Sequence, residues 1–132
     1  MTRLIWAAIF PLWVGCAGTA VNFPAVGEPA KSKSREYAAR AELEFDAGRR
    51  EQGFAWATRA LVERMAACGL DCPEVGESFV QLGDLRFRNG QRGWAAQSWA
   101  RALEVFEPHA RTHRAWIDAT RARLDAVYSR AP

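Results

Sequence analysis

Residues 37–64 and 79–106 are two copies of one pattern, offset by 42 positions. Leu43 aligns with Leu85, Phe45 with Phe87, Gly48 with Gly90, Arg50 with Arg92, and Arg59-Ala60-Leu61 with Arg101-Ala102-Leu103. Tyr37/Phe79, Ala41/Gly83 and Glu42/Asp84 are near-matches. In each copy apolar residues at helical spacing (Tyr37, Ala41, Phe45; Phe79, Gly83, Phe87) run into a glycine, and a second helical stretch ends in the Ala-Leu pair. A glycine there supplies the positive φ that stops one helix and lets the next fold back. A chain that repeats this unit is obliged to form helical hairpins that stack on one another.

The rest of the sequence agrees with an all-α fold. Ala, Arg, Leu and Glu are abundant while Val, Ile and Thr are sparse, a bias toward helices over strands. From His109 to Arg130 the chain reads as one long helix, with Trp116, Ile117, Thr120, Leu124, Val127 and Tyr128 on one face and Arg114, Asp118, Arg121 and Asp125 opposite. Stacked repeats expose an apolar end unless something covers it. A cap helix over about 110–130 is therefore expected, after hairpins at about 35–67 and 76–109.

The second copy carries Phe79, Leu82-Gly83, Gly90, Ala95, Trp99, Ala102-Leu103 and Pro108 in order. It resembles the tetratricopeptide repeat, whose signature is an aromatic, a Leu-Gly pair, a turn glycine, a small residue, an aromatic and an Ala-Leu pair. The first copy matches with Tyr37, Ala41, Gly48, Gly53 and Ala60-Leu61, although Arg40 stands where the family has Leu and no proline closes it. Both copies have an arginine, Arg50 or Arg92, where the family usually has an aromatic. The resemblance spans residues 35–109 and implies a short α-α superhelix. Small residues such as Gly83, Ala95 and Ala102 would mark close helix approach, with Gly83 facing Ala102. A generic helical bundle is the alternative.

The amino terminus has a separate logic. Arg3 precedes an apolar run from Leu4 to Val14, and Gly15 stands directly before Cys16. That is the layout of a cleaved secretory signal. Trp13-Val14-Gly15-Cys16 resembles the lipobox of bacterial lipoproteins, with Trp13 in place of the usual Leu. The resemblance implies cleavage after residue 15, diacylglyceryl attachment to the Cys16 thiol and acylation of the new amino group. An uncleaved anchor is the alternative, but the run is well short of the roughly 20 residues a spanning helix needs; an ordinary secretory signal is another. Residues 16–34 then form a lipidated cysteine and a flexible Ala/Gly/Pro/Ser-rich tether, and 35–132 the folded domain. Ala17, where an Asp would favour retention in the inner membrane, makes the outer membrane the expected location by the same resemblance. Without residues 1–15 the chain has 17 Lys and Arg against 15 Asp and Glu. A balance so close to neutral does not point to nucleic acid.

Cys68 and Cys72 lie in the connector between the copies. With Cys16 acylated they form an even pair in a compartment that permits disulfides, and Gly69 and Pro73 allow the tight turn. Free thiols and a zinc site are the alternatives. Cys68-x3-Cys72 and His109-x3-His113 occupy equivalent connectors about one repeat, on the order of 10 Å, apart.

No nucleophile motif, phosphate-binding loop or acid/base dyad stands out, so neither an enzyme nor a small-molecule substrate or cofactor is expected. What remains is binding. The resemblance implies a groove lined by the first helix of each pair, with Arg35, Ala38, Glu42, Phe45, Asp46, Glu77, Val80, Asp84, Phe87 and Arg88 as candidates; Phe45 and Phe87 also continue the core stripe. The expected function is that of a membrane-anchored adaptor holding another envelope protein. The alternative is a structural subunit fixed within a larger envelope machine.

Overall fold

A computed structural model describes residues 28–129. They fold as α1 (Glu28–Asp46), α2 (Arg50–Cys68), α3 (Pro73–Arg88), α4 (Arg92–Phe106), a 3-10 turn at Glu107–His109, and α5 (Ala110–Ser129). No strand occurs among the described residues, and the fold is all-α. The signal-like segment, Cys16 and most of the tether lie outside the described residues. The tether boundary at residue 34 needs correction, because α1 already begins at Glu28. Pro29 stands in the first helical turn, where a missing N–H costs nothing. Ser34 is buried beneath Arg64 of α2, its Oγ 3.4 Å from Nε. That contact is tertiary, so local composition does not announce it.

The two hairpin turns are the same object. Gly48 and Gly90 have φ of 83° and 78°. The Gly48 N–H donates to Phe45 O and the Arg49 N–H to Glu44 O, at 3.0 and 2.9 Å. Forty-two residues later Gly90 donates to Phe87 O and Gln91 to Arg86 O, both at 2.9 Å. Each glycine thus closes a Schellman cap, which satisfies the last carbonyls of the helix it ends.

Within the second hairpin, close approach is glycine against aromatic. A Cβ on Gly83 would enter the Trp99 ring, and one on Gly76 would lie 2.6 Å from Phe106 Cε1. The expected facing of Gly83 and Ala102 is therefore corrected: Ala102 is buried with Val80, Trp99, Phe106 and Ile117. The helices run antiparallel, so moving from Gly83 back to Val80 on α3 carries the facing position on α4 from Trp99 forward to Ala102. In the first hairpin Gly53 plays the small partner, where a Cβ would lie 3.0 Å from both Ala41 O and Phe45 Cβ.

The 42-residue period continues into α5. Val75, Ser78, Leu82 and Leu85 of α3 are buried, the apolar members among them packed in one cluster with Ala57 and Leu61 of α2. Their equivalents on α5, Ile117, Thr120, Leu124 and Val127, are buried or half-buried, and Ile117, Leu124 and Val127 belong to the cluster that includes Trp99 and Phe106 of α4. On the opposite side, Gly76, Val80 and Gly83, which receive α4, become Asp118, Ala122 and Asp125, all exposed. Helix α5 is a third first-helix stripped of the face that would take a second. Helix α1 is trimmed in the reverse sense. The positions of Val75, Ser78, Leu82 and Leu85 are occupied by Lys33, Glu36, Arg40 and Leu43, all exposed. This explains Arg40: its guanidinium lies 4.5 Å over the Trp56 ring rather than in a core. Leu43 is left 69% exposed where Leu85 is 0%. Polar outer faces on terminal repeats are what a finite stack requires.

Candidate functional site

The first helices α1, α3 and α5 lie side by side and are joined by polar rungs. Gln81 Nε2 donates to Glu42 Oε1 at 3.1 Å and to the Ala38 carbonyl at 2.8 Å. One repeat later Arg123 takes the place of Gln81 and holds Asp84, with Nε 2.8 Å from Oδ1. Arg88 adds a second tie to α1. Its Nη1 donates to Glu42 Oε2 at 2.8 Å, its Nη2 pairs with Asp46, and its guanidinium lies 4.6 Å over the Phe45 ring. The hydrogen bond to Asp46 is the largest influence and holds the Arg88 pKa above its ordinary value; burial opposes it, and the hydrogen bond to Glu42 and the two carboxylate charges add to the rise.

This arrangement redraws the expected groove. Phe45 at 7% exposure and Val80 at 3% are core residues, and neither borders the Phe87–Trp99 pocket. Glu42, Asp46, Asp84 and Arg88 do lie on this face, but they pair across helices. Glu77 faces Arg64 of α2 at 3.5 Å, away from the rungs, and Arg35 is exposed beside it.

Of the expected set, Asp84, Phe87 and Arg88 come together around an open pocket of about 350 Å³, completed by Trp99, Arg123 and Ala126. The Phe87 and Trp99 rings sit 5.7 Å apart and form its apolar wall. Trp99 is oriented by its Nε1–H, which donates to Asp84 Oδ1 at 3.0 Å. Because Asp84 is taken by Trp99 and Arg123, and Arg88 by Glu42 and Asp46, the pocket offers a visitor aromatic and methyl surface between neutralised charges. Sequence reasoning missed Arg123, Trp99 and Ala126 as members. A signal existed in the pairs Glu42/Asp84 and Gln81/Arg123, which keep the 42-residue offset.

A second, smaller cavity of about 140 Å³ lies at the inter-repeat connector, lined by Ser34, Arg35, Arg64, Ala67, Cys68, Glu74 and Glu77. Cys68 and Cys72 are bridged beside it, with Cα atoms 5.7 Å apart. Arg64 spans the cavity, its Nη1 donating to the Glu74 carbonyl at 2.7 Å. Burial lowers its pKa against the opposing pull of Glu77 and Glu74. The zinc alternative is not assembled. The cluster of ligand-type atoms here is Cys68, Cys72 and Glu74, without His109 or His113, and bridged sulfurs are not thiolate ligands. His109 does come closer than one repeat, since its Nε2–H donates to the Asp71 carbonyl at 2.7 Å. His113 instead stacks on Phe106 at 5.8 Å. Among the described residues no helix is long and apolar enough to cross a membrane.

Comparison with protein-family models, curated proteins and solved structures finds no match for this chain.

Proposed function

We propose that this protein is a tetratricopeptide-like adaptor, lipid-anchored through Cys16 on the periplasmic side of a bacterial envelope, that holds another envelope protein by an apolar side chain in the Phe87–Trp99 pocket. The observation that carries the reading is the chemistry of that pocket. An aromatic wall beside charges that already satisfy one another suits a neutral, bulky side chain and offers no free acid or base for catalysis. The polar rungs support the same reading, because they hold α3 and α5 at a fixed spacing before any partner arrives, which lowers the entropy lost on binding. An adaptor is favoured over a permanently buried subunit by the charged residues along both end faces, which keep any contact made there weak and reversible.

The test is capture from detergent-solubilised envelopes with the pocket filled. Ala126→Trp places an indole in the opening without touching the core, whereas Gln97→Trp adds the same group to an exposed position on α4. Loss of the captured partner with Ala126→Trp and its retention with Gln97→Trp is the expected result. Equal capture by both would overturn the pocket as the binding site. Metabolic acyl labelling lost in Cys16→Ala is expected of the anchor, and a Cys16→Ala chain still processed and membrane-bound would overturn it.

A further inference from the structure

The two ends of the stack carry matching patterns. Along the outer face of α1 stand Lys33, Glu36, Arg40 and Leu43; along the outer face of α5 stand Asp118, Arg121, Asp125 and Tyr128, all exposed. The spacings are identical, and the charges run plus-minus-plus against minus-plus-minus. Each strip ends in a large apolar side chain, with Leu43 and Tyr128 both 69% exposed. Lys33, Glu36, Asp118, Arg121 and Asp125 have no ion-pair partner among the described residues, and Arg40 reaches Glu44 only at 3.9 Å. The register also fits. Since α1, α3 and α5 run in the same sense and repeat every 42 residues, Lys33 is level with Val75 and Ile117, and Asp118 is the next residue. A second copy added to the α5 end without sliding along the helix axis would set Lys33 against Asp118, Glu36 against Arg121, Arg40 against Asp125 and Leu43 against Tyr128.

We propose that this match is a self-recognition surface: α1 of one copy docks in parallel along α5 of another. The occupant is a second copy of this chain because the two strips complement each other in sign, spacing and register, whereas neither complements itself in that parallel register. The contact is heterologous, so it leaves one strip free at each end and can extend into open chains. Exposed ion pairs are individually weak and screened by salt, which makes the association reversible and suited to copies concentrated on one membrane surface. It requires neither the pocket nor its partner.

Thiol crosslinking of the purified full chain with a bismaleimide separates the possibilities, with the unsubstituted chain as blank. A mixture of Leu43→Cys and Tyr128→Cys chains should give covalent dimers, each chain alone at least about tenfold less, and a chain carrying both a ladder of multimers. Exchanging charges on one strip (Lys33→Glu with Glu36→Lys) turns two attractions into repulsions and should lower the mixed yield about tenfold or more. Asp118→Lys with Arg121→Glu in the other chain should restore it. Single-cysteine chains that crosslink as well alone as mixed, a yield indifferent to the charge exchange, or an absence of dimer would each overturn the proposal.

Discussion

Arg123 of α5 grips Asp84 of α3 through two nitrogens, Nε at 2.8 Å and Nη2 at 3.2 Å, and stands one repeat after Gln81, which makes the corresponding contact to Glu42 of α1. The same Asp84 oxygen that receives Arg123 Nε also receives Trp99 Nε1–H. One carboxylate therefore fixes both the neighbouring helix and the ring that walls the pocket.

The two roles of Asp84 can be separated by substitution. Asp84→Asn keeps an acceptor for the Trp99 indole and removes only a partly exposed ion pair, at a cost of about 0.2–1 kcal/mol. Asp84→Ala leaves the buried indole N–H without its acceptor and should cost about 1–3 kcal/mol. Arg123→Ala should resemble Asp84→Asn. Urea denaturation followed by tryptophan fluorescence reads all three, and equal losses for Asn and Ala would show that Trp99 does not depend on this bond.

Three glycines should respond differently to one added methyl group. Gly83→Ala drives a Cβ into the buried Trp99 ring and should cost about 1–3 kcal/mol. Gly90→Ala meets no atom within 4 Å but must hold φ near 78°, a strain of about 1–2 kcal/mol. Gly93→Ala, in the first turn of α4 with open space around it, should be neutral or stabilise by up to about 1 kcal/mol. Thermal midpoints in the order Gly93→Ala, wild type, Gly90→Ala, Gly83→Ala are not required in their last two places, but a harmless Gly83→Ala would contradict the hairpin packing.

The glycine series also marks how far the sequence could be read. Gly48 and Gly90 recur with a Phe three residues before and an Arg two after, and a turn built from backbone bonds is a local event, so both hairpins and the cap helix were legible, although Tyr128, expected on the apolar face of that helix, is 69% exposed. Side-chain pairing between helices was not. Gly83 has Trp99 as its neighbour, but the first copy has Ala57 at that place and its own tryptophan one position earlier, at Trp56. The alignment therefore hid which ring fills the gap. Glu42, Asp46 and Arg88 were legible as one face, yet their signs alone could not reveal that they neutralise each other across more than forty residues.

Acid should loosen the first hairpin through Glu44. Its hydrogen bond from Arg49 at the glycine turn is the largest influence and lowers its pKa, with Arg49 and Arg40 charges adding to it against desolvation. A depressed carboxylate contributes stability above its unfolded pKa and loses that contribution as pH falls through the lower folded value. Carboxyl chemical shifts should place the Glu44 midpoint below that of an ordinary glutamate, and Arg49→Gln should raise it toward the ordinary value. A midpoint unmoved by Arg49→Gln would assign the depression to another cause.

The disulfide should matter more for geometry than for stability. Cys68 and Cys72 enclose a very short loop, so Cys68→Ser/Cys72→Ser should remain folded and lose only about 1–2 kcal/mol. Intact mass of protein produced in an oxidising compartment, two daltons below the reduced value, verifies the bridge. A double variant that unfolds would mean that the bridge sustains the whole inter-repeat junction.

The Ser34–Arg64 contact gives the strongest test of the repeat itself. Its equivalents 42 residues on are Gly76 and Phe106, where the ring fills the space that the absent Cβ leaves. The first hairpin replaces that apolar match with a polar one, in which the Arg64 guanidinium bonds Ser34 and the Glu74 carbonyl beside the 140 Å³ cavity. Arg64→Phe alone sets a ring against the Ser34 side chain and removes the guanidinium's bonds to Ser34 and to the Glu74 carbonyl, at a cost of about 1–3 kcal/mol. Ser34→Gly alone loses the hydroxyl contact and adds backbone freedom within α1, costing roughly 1 kcal/mol. If the hairpins are true equivalents, the double variant rebuilds the second pair inside the first. Its loss should then fall below the sum of the singles by about 1 kcal/mol or more, a coupling expected of residues in direct contact. Strict additivity in urea denaturation would mean that Ser34 and Arg64 do not occupy the places of Gly76 and Phe106.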